Sequence, residues 1–103
     1  MRKAEIYVNG KRAGFLEEVE RGKQYIFRYL EDYKGTPVSL TMPVSTPVHA
    51  FDGFPPFFDG VLPEGVMLEG LLRSGKLDRD DLFGQLIAVG GDLVGAVTVV
   101  EGR

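Results

Sequence analysis

Hydrophobic and polar positions alternate from the start of the chain. Glu5, Ile6, Tyr7 and Val8 read as a half-buried strand, and Asn9-Gly10 follows at once. Asn-Gly between two extended runs is a strong hairpin signal, because both residues tolerate the positive φ of a type I′ turn. The spacing predicts a return strand over residues 12–19, a turn at Arg21-Gly22-Lys23 and a third strand over residues 24–30. In that third strand Tyr25, Phe27 and Tyr29 share one face, while Ile26, Arg28 and Leu30 share the other. An antiparallel meander over residues 4–30 is expected. Residues 37–42 (PVSLTM) then alternate Val38, Leu40 and Met42 against Ser39 and Thr41, which predicts a further half-buried strand. Pro43, Pro47, Pro55, Pro56 and Pro63 punctuate the middle of the chain, so residues 44–51 admit one short edge strand and no central one.

The period then changes from two to between three and four. Pro55-Pro56 fits the first turn of a short helix bearing Phe57, Phe58, Val61 and Leu62, and Pro63 ends it. A second helix is expected from Pro63 or Glu64 to about Arg73, with Gly75 beyond its end. Its internal glycines, Gly65 and Gly70, make it dependent on tertiary or partner contacts. For the third helix Asp78 reads as the N-cap, Asp80 and Asp81 as first-turn acids, and Leu77 with Leu82 as a hydrophobic staple. Leu82, Phe83, Leu86 and Ile87 form its apolar face and Gly90 closes it. Residues 95–101 (GAVTVVE) read as a last strand. The expected fold is α+β: an antiparallel sheet or small barrel with three short helices packed on one side.

Composition narrows the class of protein. With 103 residues, 44% hydrophobic and 26% charged, the chain reads as one globular domain over residues 1–103. No apolar run is long enough to span a bilayer, and no secretory signal follows the N-terminal MRKAEIYV, so no membrane association is expected. The absence of cysteine removes disulfides and thiolate metal sites and fits a reducing cytoplasm. A net charge of −3 argues against direct nucleic-acid binding.

Catalytic chemistry finds little support. Gly90-Gly91-Asp92 with Gly95 suggests a phosphate loop, but it follows a helix and precedes a strand, the reverse of the strand–loop–helix context such loops need. His49 is the only histidine; with Asp52 and Asp59 it would have to make a hydrolytic pocket without any nucleophile at a suitable spacing. Asp78, Asp80 and Asp81 lack the glycine and distal glutamate of a calcium loop. No catalytic residue, metal site or cofactor is assigned. The segment over residues 51–72 is richer, with eleven large apolar residues and few charges. Either it all packs into the core, or part of it forms an exposed patch for a partner. Val66-Met67-Leu68, after the Pro63-Glu64-Gly65 turn, is the leading exposed element, since methionine adapts well to a partner surface.

Four segments carry a family resemblance: VNGKRAG at residues 8–14, PVSLTMPV at 37–44, FFDGVLPEG at 57–65 and DLFGQLIAVGGDLVGA at 81–96. In this order and spacing they resemble the N-terminal domain of HipA-type serine/threonine toxin kinases. The resemblance implies a sheet-and-helix domain beside the kinase N-lobe, with the ATP-binding and catalytic motifs downstream and none within this chain. A chain that starts at Met1 and ends in Glu101-Gly102-Arg103 is then expected to be a free-standing small protein, similar to the HipS component of tripartite HipB–HipS–HipT systems. The implied function is that of a cytoplasmic antitoxin, which binds and inhibits a HipT-type kinase acting on a translation factor, in a larger complex with a DNA-binding HipB-type protein. In that reading Phe57 or Leu62 is buried against the kinase, and Pro63, Glu64, Gly65, Val66, Met67 and Leu68 project toward its active-site mouth. The alternative is a structural N-terminal fragment of a HipA-type kinase, or a scaffold linking the kinase to HipB.

Overall fold

A computed structural model describes residues 2–93 and 95–102. Three strands come first, β1 (Arg2–Val8), β2 (Lys11–Glu20) and β3 (Gln24–Tyr29), as the alternation predicts. Asn9 and Gly10 both take positive φ, 52° and 81°, so the first hairpin closes through the expected primed turn. β4 (Val48–Asp52) is the short edge strand expected among the prolines. Three helices follow, α1 (Pro56–Asp59), α2 (Gly65–Gly75) and α3 (Leu82–Val89), then a 3-10 turn (Gly90–Asp92) and β5 (Val97–Glu101). All strand pairs are antiparallel, in the order β4-β3-β2-β1-β5.

The sheet is open, which corrects the barrel half of the expected fold: β4 and β5 are opposite edges and do not pair. Its apolar face has no need to curl onto itself, because the helices cover it. Ile6, Leu16 and Phe27 from the sheet meet Phe58 of α1 and Phe83 and Leu86 of α3, all essentially inaccessible to water. The β5 edge is shielded by the 3-10 turn. Gly90 lies so close to β5 that a Cβ there would fall 2.1 Å from the Val99 carbonyl oxygen. Close packing, and not a left-handed turn, is what requires glycine at this position, since its φ is −54°.

Four local expectations need correction. Residues 37–42 form no strand; Ser39 and Met42 make an isolated bridge around a tight turn, with Leu40 95% exposed at its tip. The Tyr29 hydroxyl replaces a strand ladder here, accepting from the Val38 amide at 2.9 Å and donating to the Met42 carbonyl. The turn is thereby tied to β3, and Val38 and Met42 are buried while Leu40 is not. In α2 the last residue is Gly75 and Lys76 takes the left-handed cap position, so the helix runs past Arg73. For α3 the N-cap is Asp81, whose carboxylate accepts from the Gly84 amide at 3.0 Å. Asp78 instead sits in the preceding turn, its carbonyl accepting from the Asp81 amide and from Gln85 Nε2. The final strand begins at Val97 and not at Gly95. Val94 of the GGDLVGA motif and Arg103 of the polar tail lie outside the described residues.

Candidate functional site

Two groups of residues stand out in the fold. The first joins the β-meander to α3. Glu18 has the same strand parity as Leu16 and so points inward, where it is only 4% exposed. Burying a carboxylate is costly unless its oxygens are bonded. Here Arg2 Nε donates to it at 2.8 Å, the Tyr25 hydroxyl at 2.8 Å and the Gly22 amide at 3.3 Å. Arg2 also grips Asp81, the α3 cap, through two further bonds of 3.2 and 2.8 Å, and lies over the Phe83 ring.

One guanidinium therefore ties β1, β2 and the start of α3 together. Burial alone pushes the Glu18 carboxyl upward, but the bonds from Arg2, Tyr25 and Gly22 outweigh it and hold the group below its ordinary value. Asp81 is lowered as well, chiefly by the Arg2 hydrogen bond, and Arg2 is raised by the same two partners. Burial and the Glu18 bond push the Tyr25 phenol up to about 12. Among the described residues no buried side-chain nitrogen or oxygen lacks a partner. A fully satisfied network of this kind is structural, with no group left poised for proton transfer. It went unpredicted although the signal was present: a glutamate in phase with Leu16 on an apolar strand face.

The second group is the candidate interaction surface. Pro56 at the first position of α1 fixes φ for the short helix and turns Phe58 under the sheet, 6.5 Å from the Phe27 ring. Phe57 is half-buried and packs edge-on to Phe58 at 5.2 Å. Leu62 belongs to the core cluster, and Pro63 and Leu68 are half-buried. Glu64 precedes α2 without a side-chain cap, and Gly65 enters the helix with φ +58°. Val66 and Met67 then stand out from the surface, 88% and 75% exposed. Beside Met67 lies an open groove of about 510 Å³, lined by the apolar Leu62, Pro63, Met67, Leu71, Val89 and Leu93 and by the acidic Glu64 and Asp92. Of the eight residues singled out in the sequence, Leu62, Pro63, Glu64 and Met67 line this groove, Leu62 is buried, and Val66 and Met67 are open to solvent. An exposed apolar helix end beside a mainly apolar groove is the kind of surface that suits contact by exclusion of water.

His49 is engaged structurally. Its Nε2 is 3.1 Å from the Pro43 carbonyl oxygen and its ring meets Tyr29 edge-on at 6.1 Å. Asp52 and Asp59 are exposed on β4 and α1. No helix among the described residues is long and apolar enough to cross a membrane.

The fold is that of a small α+β domain with an open antiparallel sheet and an exposed apolar helix end. Residues 4–100 match the HipA N-terminal domain family, and the chain belongs to that family. An uncharacterized protein of Haemophilus influenzae is 32% identical over 102 residues, covering 98% of this chain and 93% of that protein. A solved structure of the N-terminal domain of HipA toxin superposes with a TM-score of 0.77 at 27% identity, covering 100% of this chain and 94% of that one. A chain of the Shewanella oneidensis MR-1 toxin–antitoxin complex of HipA, HipB and operator DNA superposes with a TM-score of 0.71 at 24% identity. That likeness covers 94% of this chain but 23% of that one, and it shows the fold alone.

These findings overturn the antitoxin expectation. What matches over the full chain is the N-terminal domain of the HipA toxin itself, not a separate HipS-like inhibitor of a HipT kinase. The chain corresponds to the non-catalytic N-terminal region of HipA, separate from its kinase domain.

Proposed function

We propose that this chain serves as a structural, non-catalytic domain of a HipA-type toxin–antitoxin assembly in the cytoplasm, and that it acts as a scaffold between the kinase region and a DNA-binding HipB-type partner. The exposed pair Val66 and Met67 carries this reading, because two large apolar side chains side by side at a helix start are costly to leave in water. Phe57 and Leu62 hold this segment from below, Pro63, Glu64 and Gly65 set its exit angle, and Val66, Met67 and Leu68 meet the partner. The length relation supports the kinase region as that partner: in the chain of the Shewanella complex the matching domain is about a quarter of a longer protein. The domain reads as a single unit over residues 1–103, and its negative charge suits contact with proteins better than with DNA.

Reconstitution tests the scaffold role. A HipA-type kinase region and its HipB-type protein are mixed with and without this chain, and complex formation is followed by size-exclusion chromatography. The chain is expected to co-elute with both and to strengthen their association. A kinase–HipB complex that forms equally well without it, or that excludes it, contradicts the proposal.

A further inference from the structure

The helix that presents Val66 and Met67 is held differently from the rest of the fold. No residue of α2 is buried, whereas α3 sinks Phe83, Gln85 and Leu86 into the core. Its first turn has no side-chain cap, leaving amide groups to solvent. At mid-helix Gly70 lowers helix stability relative to alanine, and a Cβ there would meet nothing within 4 Å, so packing does not demand the glycine. Both ends pass through left-handed backbone, at Gly65 with φ +58° and at Lys76 with φ +53°. Lysine in that region carries a cost that glycine would not. The side-chain tie between Glu69 and Arg79 lies on the surface, where ion pairs contribute little.

We propose that α2 is a strap that opens as a unit about Gly65 and Lys76 while the sheet and α3 stay folded. Opening widens the groove at Val89 and Leu93, which are half-buried while α2 is in place. Sub-global opening of this kind is the physical expectation for an element with few buried contacts flanked by hinge positions. The inference goes beyond the scaffold reading and stands whether or not a partner docks there.

Hydrogen exchange on the full chain in its native state tests it. The amides of α2 should exchange together, with protection on the order of 100-fold or more below that of β1–β3. Gly70→Ala should raise α2 protection about fivefold and leave β1–β3 unchanged, and Lys76→Gly should act in the same direction. Protection of α2 equal to that of the sheet, exchange of its amides one by one from the ends, or α2 protection indifferent to Gly70→Ala would each overturn the proposal.

Discussion

The meander–α3 corner and α2 are built on opposite principles. In the first, a buried carboxylate is bonded by three donors, one arginine spans three elements, and aromatic rings fill the space between sheet and helix. In the second, the helix is laid along the surface with no residue buried, Gly70 weakens it at mid-helix, and Val66 and Met67 face water. Apolar side chains thus stabilise the fold in one place and are left facing water in the other.

Substitutions sharpen that contrast. Phe58→Ala should be the most damaging, costing about 3–5 kcal/mol as a cavity opens beneath Phe27, read as a drop in the urea midpoint at unchanged slope. Arg2→Met should follow at about 2 kcal/mol, because it leaves Glu18 buried with one fewer donor and frees the α3 cap. Tyr29→Phe removes both hydroxyl bonds to the 38–42 turn and should cost about 1–2 kcal/mol, with loss of protection at the Val38 amide. Val66→Asp with Met67→Asp should change stability by less than about 0.5 kcal/mol, since both side chains are already exposed.

Acid should act on the corner and not on the strap. The folded-state pKa values of Glu18 and Asp81 lie below their unfolded values. The stability they contribute is therefore present above about pH 4, and is lost as pH falls through the lowered values. Tyr25 has the opposite limb: its contribution holds below about pH 10, and fades as pH rises toward the phenol's value of about 12. Urea midpoints measured against pH should show this plateau. Asp81→Asn, which keeps a capping side chain but cannot titrate, should flatten the acid limb.

Much of the sheet was legible in the sequence, because strand alternation and Asn9-Gly10 are local signals. The 37–42 segment misled because its alternation is real, yet a tyrosine hydroxyl from β3 supplies the bonds a neighbouring strand would have made. Asp78 looked like the α3 cap for the same kind of reason. The choice of Asp81 is made by Arg2, seventy-nine positions away, and by the Gln85 amide that holds residues 78 and 79 in a turn. The open sheet was also beyond local reading, since it follows from how three helices cover one face. At the candidate surface the apolar run was visible, but which members are core and which exposed was settled only by the φ of Gly65 and the depth of Leu62.

The central claim is that Val66 and Met67 serve binding and not folding. It is tested most directly by titrating a HipA-type kinase region, lacking its own copy of this domain, with the wild-type chain and with the Val66→Asp, Met67→Asp double variant. The account predicts a variant with an unchanged urea midpoint and binding weakened on the order of 100-fold or more, as expected when two central apolar contacts are replaced by buried charges. Unchanged affinity, or a variant that fails to fold, would contradict it.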